Sequence, residues 1–326
     1  MPTRRKFAAS VLWSCGAGLV PLGASQASES PWPSKPVRLI VPLAPGGTAD
    51  ATARLLAEHL SRRWGQPVIV DNRAGAGGVI AMEALYRAPP DGYTLGMGNL
   101  NTVVTNPMVH RKLPYDPSAL SPITWLTTSP LFLIVNPQLP IRTLQEFVAY
   151  AKANPGELSF ASIGNGSTMH LAAAMLMERT GIRMVHVPYK GMGPALQDLV
   201  SGNVGVAVDI SAMSMVRSGK LRAIAVAADQ RYPGEPDIPS FAEGGLAGLQ
   251  LMTFLSLHAP PGMQAALAQR IGADVSQVLA LPEVVQRIKA MNLDPQGGSP
   301  GRLQEFLQGE RRRYADLVRR TGIQAD

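Results

Sequence analysis

The chain has 326 residues and one cysteine, Cys15. A single thiol excludes an internal disulfide framework and any cysteine-rich zinc or iron–sulfur centre. Aromatic residues make up 6% and charged residues 16% of the chain. No basic patch interleaved with aromatics is present, so the formal charge of +7 gives no basis for nucleic-acid binding. The histidines, His59, His110, His170, His186 and His258, lack any H-x-x-x-H or comparable metal-ligand spacing. There is no Walker A motif. Gly75-x-Gly77 runs on to Ile80, and Gly164-x-Gly166 to Met169, where a dinucleotide fingerprint needs its third glycine. No G-x-S-x-G elbow surrounds Ser167. The expectation is therefore no metal, no cofactor and no nucleic-acid partner.

What is present is an ordinary apolar fraction of 46%, spread over enough chain for about two domains of roughly 100–200 residues each. Residues 1–27 separate from the rest. Arg4, Arg5 and Lys6 precede an apolar stretch from Phe7 to Gly23, and Ser25-Gln26-Ala27 offers small residues for cleavage. That is the layout of a secretory signal peptide cut near Ala27. TRRKF also fits twin-arginine export, so Sec and Tat both stay open. The apolar stretch is shorter than the ~20 residues a membrane span needs. Trp13 makes the surroundings of Cys15 a poor lipidation site. Cleavage would remove the only cysteine and leave a charge of +4.

Beyond residue 27, short β-branched runs alternate with helical periodicity. Strands are expected at 37–41, 68–70, 93–97, 131–135, 158–161, 185–187, 204–208, 221–227 and 251–259. Helices are expected from Thr48 to Gly65, over 79–87, after Thr143 with Glu146 completing a capping box, from the 162–168 turn to Thr180, and from Met192. Three more follow, over 263–279, 283–291 and 300–321, the last with Ser299 as N-cap and Pro300 at its first position. Residues 229–250 read as a long surface connection, and the arginines at 311–313 and 319–320 as a solvated face. This alternation points to an α/β fold with mostly parallel sheets and a helical tail packed on the first α/β segment.

Three glycine turns follow strands and open helices: Ala44-Pro45-Gly46-Gly47-Thr48, Ala74-Gly75-Ala76-Gly77-Gly78, and Ser162-Ile163-Gly164-Asn165-Gly166-Ser167-Thr168. Any α/β protein needs glycine at such turns. Three of them, carrying Ser and Thr hydroxyls, also suit an anion pocket at strand C-terminal ends, because a helix start supplies open N–H donors and partial positive charge. Asp50 caps or charges the first turn of its helix. Asp209 ends an apolar strand, either as turn former or as ligand acceptor. Ser167, His170 and Asp209 would make a triad only on paper. Ser167 is more simply an N-cap or ligand donor, and His170 a packing or loop-bonding residue.

The runs PVRLIVPLAPGGTADATARLLAEHL, DNRAGAGG, PDGYTLGMGN, ASIGNGSTMHLA, HVPYKGMGPALQDLVSG and SGKLRAIAV together resemble the Bug family, the TctC-like substrate-binding proteins of tripartite tricarboxylate transporters. The resemblance covers the whole chain after the signal segment. It implies a periplasmic binding protein of two-lobed α/β fold. Each lobe would be a mixed sheet flanked by helices, with two crossover strands joining them. The corresponding bounds are 28–128 plus 255–326 for lobe 1 and 129–254 for lobe 2. It implies a small carboxylate ligand held by backbone amides and hydroxyls at Pro45, Gly46, Gly47 and Thr48 and at Ser162, Gly164 and Ser167. Leu43, Asp50, Gly77, Asn101, His170, Tyr189 and Asp209 complete the candidate ligand-binding set. The implied partners are the membrane subunits of such a transporter, with the protein itself a monomer and not an enzyme. A ligand sensor feeding a membrane signalling partner, or a secreted α/β hydrolase, are the alternatives. Departures from the family pattern include Leu43 for Phe, Ala174 for Glu, Gly205 for Asp and Ile210 for Asn. An aromatic pair is also reduced to Thr253-Phe254. The Ile210 change would favour a more apolar ligand if that residue faces the cleft.

Overall fold

A computed structural model describes residues 32–324. The segment read as a signal peptide, Cys15 included, lies outside the described residues. In chain order the elements are β1 (Val37–Val41), α1 (Thr48–Trp64), β2 (Val68–Asn72), α2 (Val79–Tyr86), β3 (Thr94–Asn99), a π-helical turn (Asn101–Thr105) and α3 (Asn106–Val109). Then follow β4 (Ser121–Pro130), β5 (Phe132–Val135), α4 (Leu144–Ala153), β6 (Ser159–Ser162), α5 (Thr168–Thr180), β7 (Val185–Pro188) and α6 (Met192–Ser201). The chain continues with β8 (Val206–Asp209), α7 (Met213–Arg217), β9 (Arg222–Val226), β10 (Met252–Ala259), α8 (Ala265–Leu279), α9 (Pro282–Ala290), β11 (Asp294–Pro295) and α10 (Pro300–Thr321).

The helix ends follow from local chemistry. Gly65 closes α1 in the left-handed conformation, after Asp50 in its first turn and Arg62 and Arg63 in its last oppose the helix dipole. Thr143 and Glu146 form the expected capping box on α4. The Ser299 hydroxyl accepts the Arg302 N–H at 3.2 Å to start α10, with Pro300 at the first position where a missing N–H costs nothing.

The strands build two mixed sheets. The first has the order β11-β4-β10-β3-β1-β2 and the second β7-β6-β8-β5-β9. In the first, β1 runs parallel to β2 and β3, and β10 lies antiparallel to β3 and β4. In the second, β6 is parallel to β7 and β8, and β5 antiparallel to β8 and β9. The chain leaves the first sheet through β4 into β5 and returns through β10. At the crossing, Leu131 N–H donates to Leu251 O (2.8 Å), Leu251 N–H to Ala227 O (2.9 Å) and Ala227 N–H to Leu131 O (2.8 Å). These bonds leave no ladder group stranded where the pairing changes partners.

Four expectations change. The sheets are not mostly parallel, since five of the nine strand pairings among the described residues are antiparallel, chiefly those made by β10 and β5. Residues 121–130 carry a strand that the sequence pattern does not announce. Pro122 and Pro130 sit near its ends, and Ser and Thr replace the usual β-branched apolar run, yet Ile123, Thr124, Leu126, Thr127 and Ser129 are all fully buried. The 229–250 connection has no helix or strand, but it is not only surface: Phe241 is fully buried and Leu249 buried in the core of the second sheet, and Tyr232 is buried too. Arg311 is half-buried and donates to Val103 O (3.2 Å) and Pro117 O (3.3 Å), so it belongs to the packing of α10 and not to a solvated face. Hydrogen bonds from a charged guanidinium to these two carbonyls are stronger than neutral ones.

Tail packing is as expected. Leu303, Leu307, Tyr314 and Leu317 of α10 are buried with Ile40, Met82, Leu85, Val103 and Phe254. Phe254 lies edge-on to Phe306 at 4.9 Å, and Phe306 stacks on Trp125 at 3.8 Å. Phe254→Ala removes a fully buried ring from a crossing strand. It should cost about 3–5 kcal/mol in urea unfolding, and a loss below about 1 kcal/mol would contradict this packing.

Candidate functional site

Parallel strands point their C-terminal ends the same way, and ligands of open α/β sheets gather there. In the first sheet those ends feed the turns at 42–48, 73–78 and 99–106. In the second they feed 163–168, 189–191 and 210–212.

The first turn is braced from beneath. The Asp50 Oδ2 accepts the Gly46 N–H and the Arg54 Nε, each at 3.0 Å. Asp50 is buried, and its carboxyl is held below the usual carboxylate range by the Arg54 hydrogen bond first and the Gly46 N–H after it, against the opposing effect of burial. Asn72 Nδ2 donates to Leu43 O (3.1 Å). Pro45, Gly46 and Gly47 are exposed, and Leu43 and Thr48 half-buried. Gly46 needs its freedom: its φ is +93°. Gly47 is the N-cap of α1 and offers no side-chain cap. Ala51 N–H makes a bond to Gly47 O at 3.0 Å, so the N–H groups of Thr48, Ala49 and Asp50 lie ahead of the helical ladder.

Gly77 is exposed, and its carbonyl accepts Asn106 Nδ2 at 3.2 Å. Asn106 Nδ2 also reaches the Tyr115 hydroxyl (3.2 Å), which donates to Thr102 O (2.7 Å). This buried chain ties the second glycine turn to the π-helical turn. Burial pushes the Tyr115 hydroxyl up to about 12.

The third turn is held from within. Ser162 Oγ meets the Gly164 N–H (3.0 Å), the Gly164 carbonyl (3.0 Å) and His186 Nε2 (2.6 Å). With one hydroxyl proton, all three contacts are satisfied together when Ser162 donates to the carbonyl and His186 Nε2 donates to Ser162. His170 Nδ1 accepts the Gly166 N–H at 3.1 Å, which places the proton of the neutral ring on Nε2. The two imidazoles stack at 3.9 Å, and Phe160 lies against His186 at 4.9 Å. Ser167 Oγ caps α5 by accepting the His170 N–H (3.4 Å), and Ser167 N–H goes to Gly164 O (3.3 Å). The backbone donors of Gly164, Gly166, Ser167 and His170 are thus spent inside the turn. Of the backbone amides and hydroxyls expected to serve a ligand here, the Gly164 N–H and the Ser162 hydroxyl are bonded within the turn.

The remaining candidates are placed as follows. The Tyr189 N–H donates to Ser162 O (2.8 Å), and its hydroxyl is turned to Asp198 of α6 (2.8 Å). Burial, then the Asp198 carboxylate, raises that hydroxyl to about 12. Asp209 ends β8, buried, and accepts the Ser211 N–H (3.1 Å) and the Ser211 hydroxyl. Burial raises its pKa, with the Ser211 hydroxyl bond as the main opposing effect. The Ser167 hydroxyl is bonded to the His170 backbone and Asp209 to Ser211, so these side chains are not linked as a triad. Asn101, buried on the π-helical turn, meets the second sheet directly: its Oδ1 accepts both the Thr168 N–H (2.8 Å) and the Thr168 hydroxyl (2.6 Å). Beside it Thr105 Oγ1 lies 3.5 Å from Gly166 O. Ile210 is buried.

Sequence reasoning missed Arg54, Asn72, Asn106, Tyr115, His186 and Ser211. The Asp50–Arg54 spacing of four on a helix is a local signal that was available. His186 and Tyr115 reach their partners from distant segments and leave no local trace. Among the described residues no cluster of His, Cys, Asp and Glu suits a metal ion, and no helix is long and apolar enough to cross a membrane.

The chain is similar to known proteins in both sequence and architecture. The family model described as tripartite tricarboxylate transporter family receptor matches residues 52–323. Protein BugT of Bordetella pertussis is 35% identical over 305 residues, covering 92% of this chain and 93% of its own. A Cupriavidus necator protein described as a UPF0065 protein in the gbd 5′ region is 31% identical and covers 98% of each. The R. palustris protein Rpa4515, solved with adipate, superposes with a TM-score of 0.86 at 32% identity, over 90% of this chain and 99% of that one. MatC from Rhodopseudomonas palustris, solved with bound malate, gives 0.81 at 33% identity over 88% and 100%. The periplasmic binding protein BugD gives 0.82 at 30% identity over 90% and 99%.

Burial first, and for His170 its stacked neighbour His186 second, push His170 down to about 4 and lower His186; burial takes His258 down to about 3. The unfolded chain, with ordinary histidines, binds protons between about pH 6.5 and 4 that the folded chain refuses. Stability should therefore fall as pH drops through that window, and His170→Gln should flatten the slope. Proton titration followed by NMR checks the cause: a His170 ring that protonates above pH 6 would contradict it.

Proposed function

The chain belongs to the tripartite tricarboxylate transporter receptor family, and from that premise we propose that it is an exported solute-binding protein that closes on a small carboxylate and delivers it to the membrane subunits of such a transporter. The observation that carries the site assignment is the start of α1, a helix of 17 residues whose N-cap is a glycine without a side-chain cap. Its leading N–H groups and the helix dipole favour an anionic oxygen with no basic side chain in the turn itself. The Ser167 hydroxyl and His170 Nε2–H supply donors from the other side.

The two sheets are read as the two lobes, with residues 28–128 plus 255–326 as one and 129–254 as the other. Export by the Sec or Tat route, with cleavage near Ala27 and residence in the periplasm, fits the signal-like start and the family. Closure of one lobe on the other buries the ligand through contacts made only in the closed form. No enzymatic step is assigned, because Ser167 serves as a helix cap and His170 as an acceptor for its own turn.

Gly47 gives a test that separates ligand binding from folding. Its backbone is extended, and a Cβ added there meets nothing within 4 Å. Gly47→Val should keep the melting temperature of the free protein while weakening carboxylate binding at least about tenfold, equivalent to about 1.4 kcal/mol. Unchanged affinity by calorimetry would refute the anion role of this turn.

A thermal-shift panel addresses the ligand. A carboxylate at 100 times its dissociation constant stabilises by about 2.7 kcal/mol. Adipate should shift the protein more than malate, because Ile210 takes the place of a polar residue common in the family. Malate binding far more tightly would contradict that preference.

A further inference from the structure

α5 is built on the second sheet but is engaged by the first. Leu171 is fully buried in the cluster formed by Val103, Leu303, Tyr314 and Leu317. Near its far end Glu178 pairs with Arg320 of α10 at 2.7 Å. At its start, Asn101 Oδ1 receives two donors from Thr168, the N–H at 2.8 Å and the hydroxyl at 2.6 Å. These are the donors that a helix start would otherwise turn to an anion. The exposed Glu178–Arg320 pair contributes little in water. The Asn101 bonds are different, because Asn101 is 95% buried and a broken bond there strands a polar group.

Asn101 itself is held in place. It opens the π-helical turn, whose geometry leaves carbonyls out of the ordinary ladder. Arg311 of α10 donates to Val103 O from Nε (3.3 Å) and Nη2 (3.2 Å), while Tyr115 bonds Thr102 O. The carboxamide is therefore presented on a braced turn of one lobe to a helix start of the other. Gly166, next to it, passes so close to Val109 that an added Cβ would lie 2.7 Å from Cγ2.

We propose that Asn101 is a positioning residue that latches the closed form: its carboxamide oxygen, accepting both Thr168 donors, holds the lobes together without the ligand's help. The inference rests on the two-lobed binding reading above. Its consequence is that the protein without ligand spends most of its time closed, and that ligand entry requires release of these two bonds.

The test measures the distance between lobes by spin labels on the Cys15→Ser chain, which then has no other cysteine. Labels at Lys152→Cys on α4 and Gln286→Cys on α9 occupy exposed positions, one on each sheet's flank. Without ligand the parent should show mainly the short distance. Asn101→Ala should shift the closed-to-open ratio about tenfold toward open, and Thr168→Val, isosteric but lacking the hydroxyl, should shift it in the same direction by less. The double variant should open no further than Asn101→Ala, and Asn101→Asp, which keeps the acceptor, should stay closed. A parent already open without ligand, or an Asn101→Ala distribution that superimposes on the parent, would overturn the latch. Adipate is then added to Thr168→Val as the probe. Re-closure supports both the latch and the binding reading; failure of adipate and the rest of the carboxylate panel to bind parent or variant counts against the binding reading and leaves the latch standing.

Discussion

Two antiparallel strands, β4 and β10, pair along their whole length and carry the chain from one sheet to the other. Every feature of the site depends on them. They keep the two sets of parallel strands oriented so that both sets of C-terminal turns come together, as the Asn101–Thr168 contact shows. They are also only two strands wide at the crossing, where a few backbone bonds among Leu131, Ala227 and Leu251 join the sheets. Rotation at this crossing would also part α5 from α10, where Leu171 is buried with Leu303, Tyr314 and Leu317.

Within that frame the two sides of the site use different chemistry. The first-sheet turn keeps its side chains away: Asp50 and Arg54 brace it from below, and a glycine N-cap leaves the helix start open. The second-sheet turn is self-satisfied, with Ser162, His186 and His170 consuming its backbone donors. Two related structures were solved with different acids, adipate and malate.

Much of this was legible in the sequence. The β-branched runs and glycine turns place β1, β2, β6 and α1, α5 within a residue or two, and the capping residues Thr143 and Ser299 mark their helices. β4 escaped notice because its burial is carried by Thr, Ser and Pro-flanked positions, whose strand character comes from pairing on both sides. The site was legible as turns but not as bonds. Gly46, Gly47 and Ser167 mark helix starts in the sequence, whereas Asn101 is named there only through the family resemblance, and its bonds to Thr168 appear only when the fold brings the two together. Arg311 reads as one of five surface arginines until the π-helical turn supplies carbonyls for it.

The account stands or falls on where a bound carboxylate sits. A crystal structure with adipate measures this directly. The expected result is a carboxylate oxygen within hydrogen-bond distance of the N–H groups at Thr48 and Ala49, with the Ser167 hydroxyl or His170 Nε2 serving the ligand from the other lobe. A carboxylate held instead by an arginine or lysine, away from the start of α1, would contradict it.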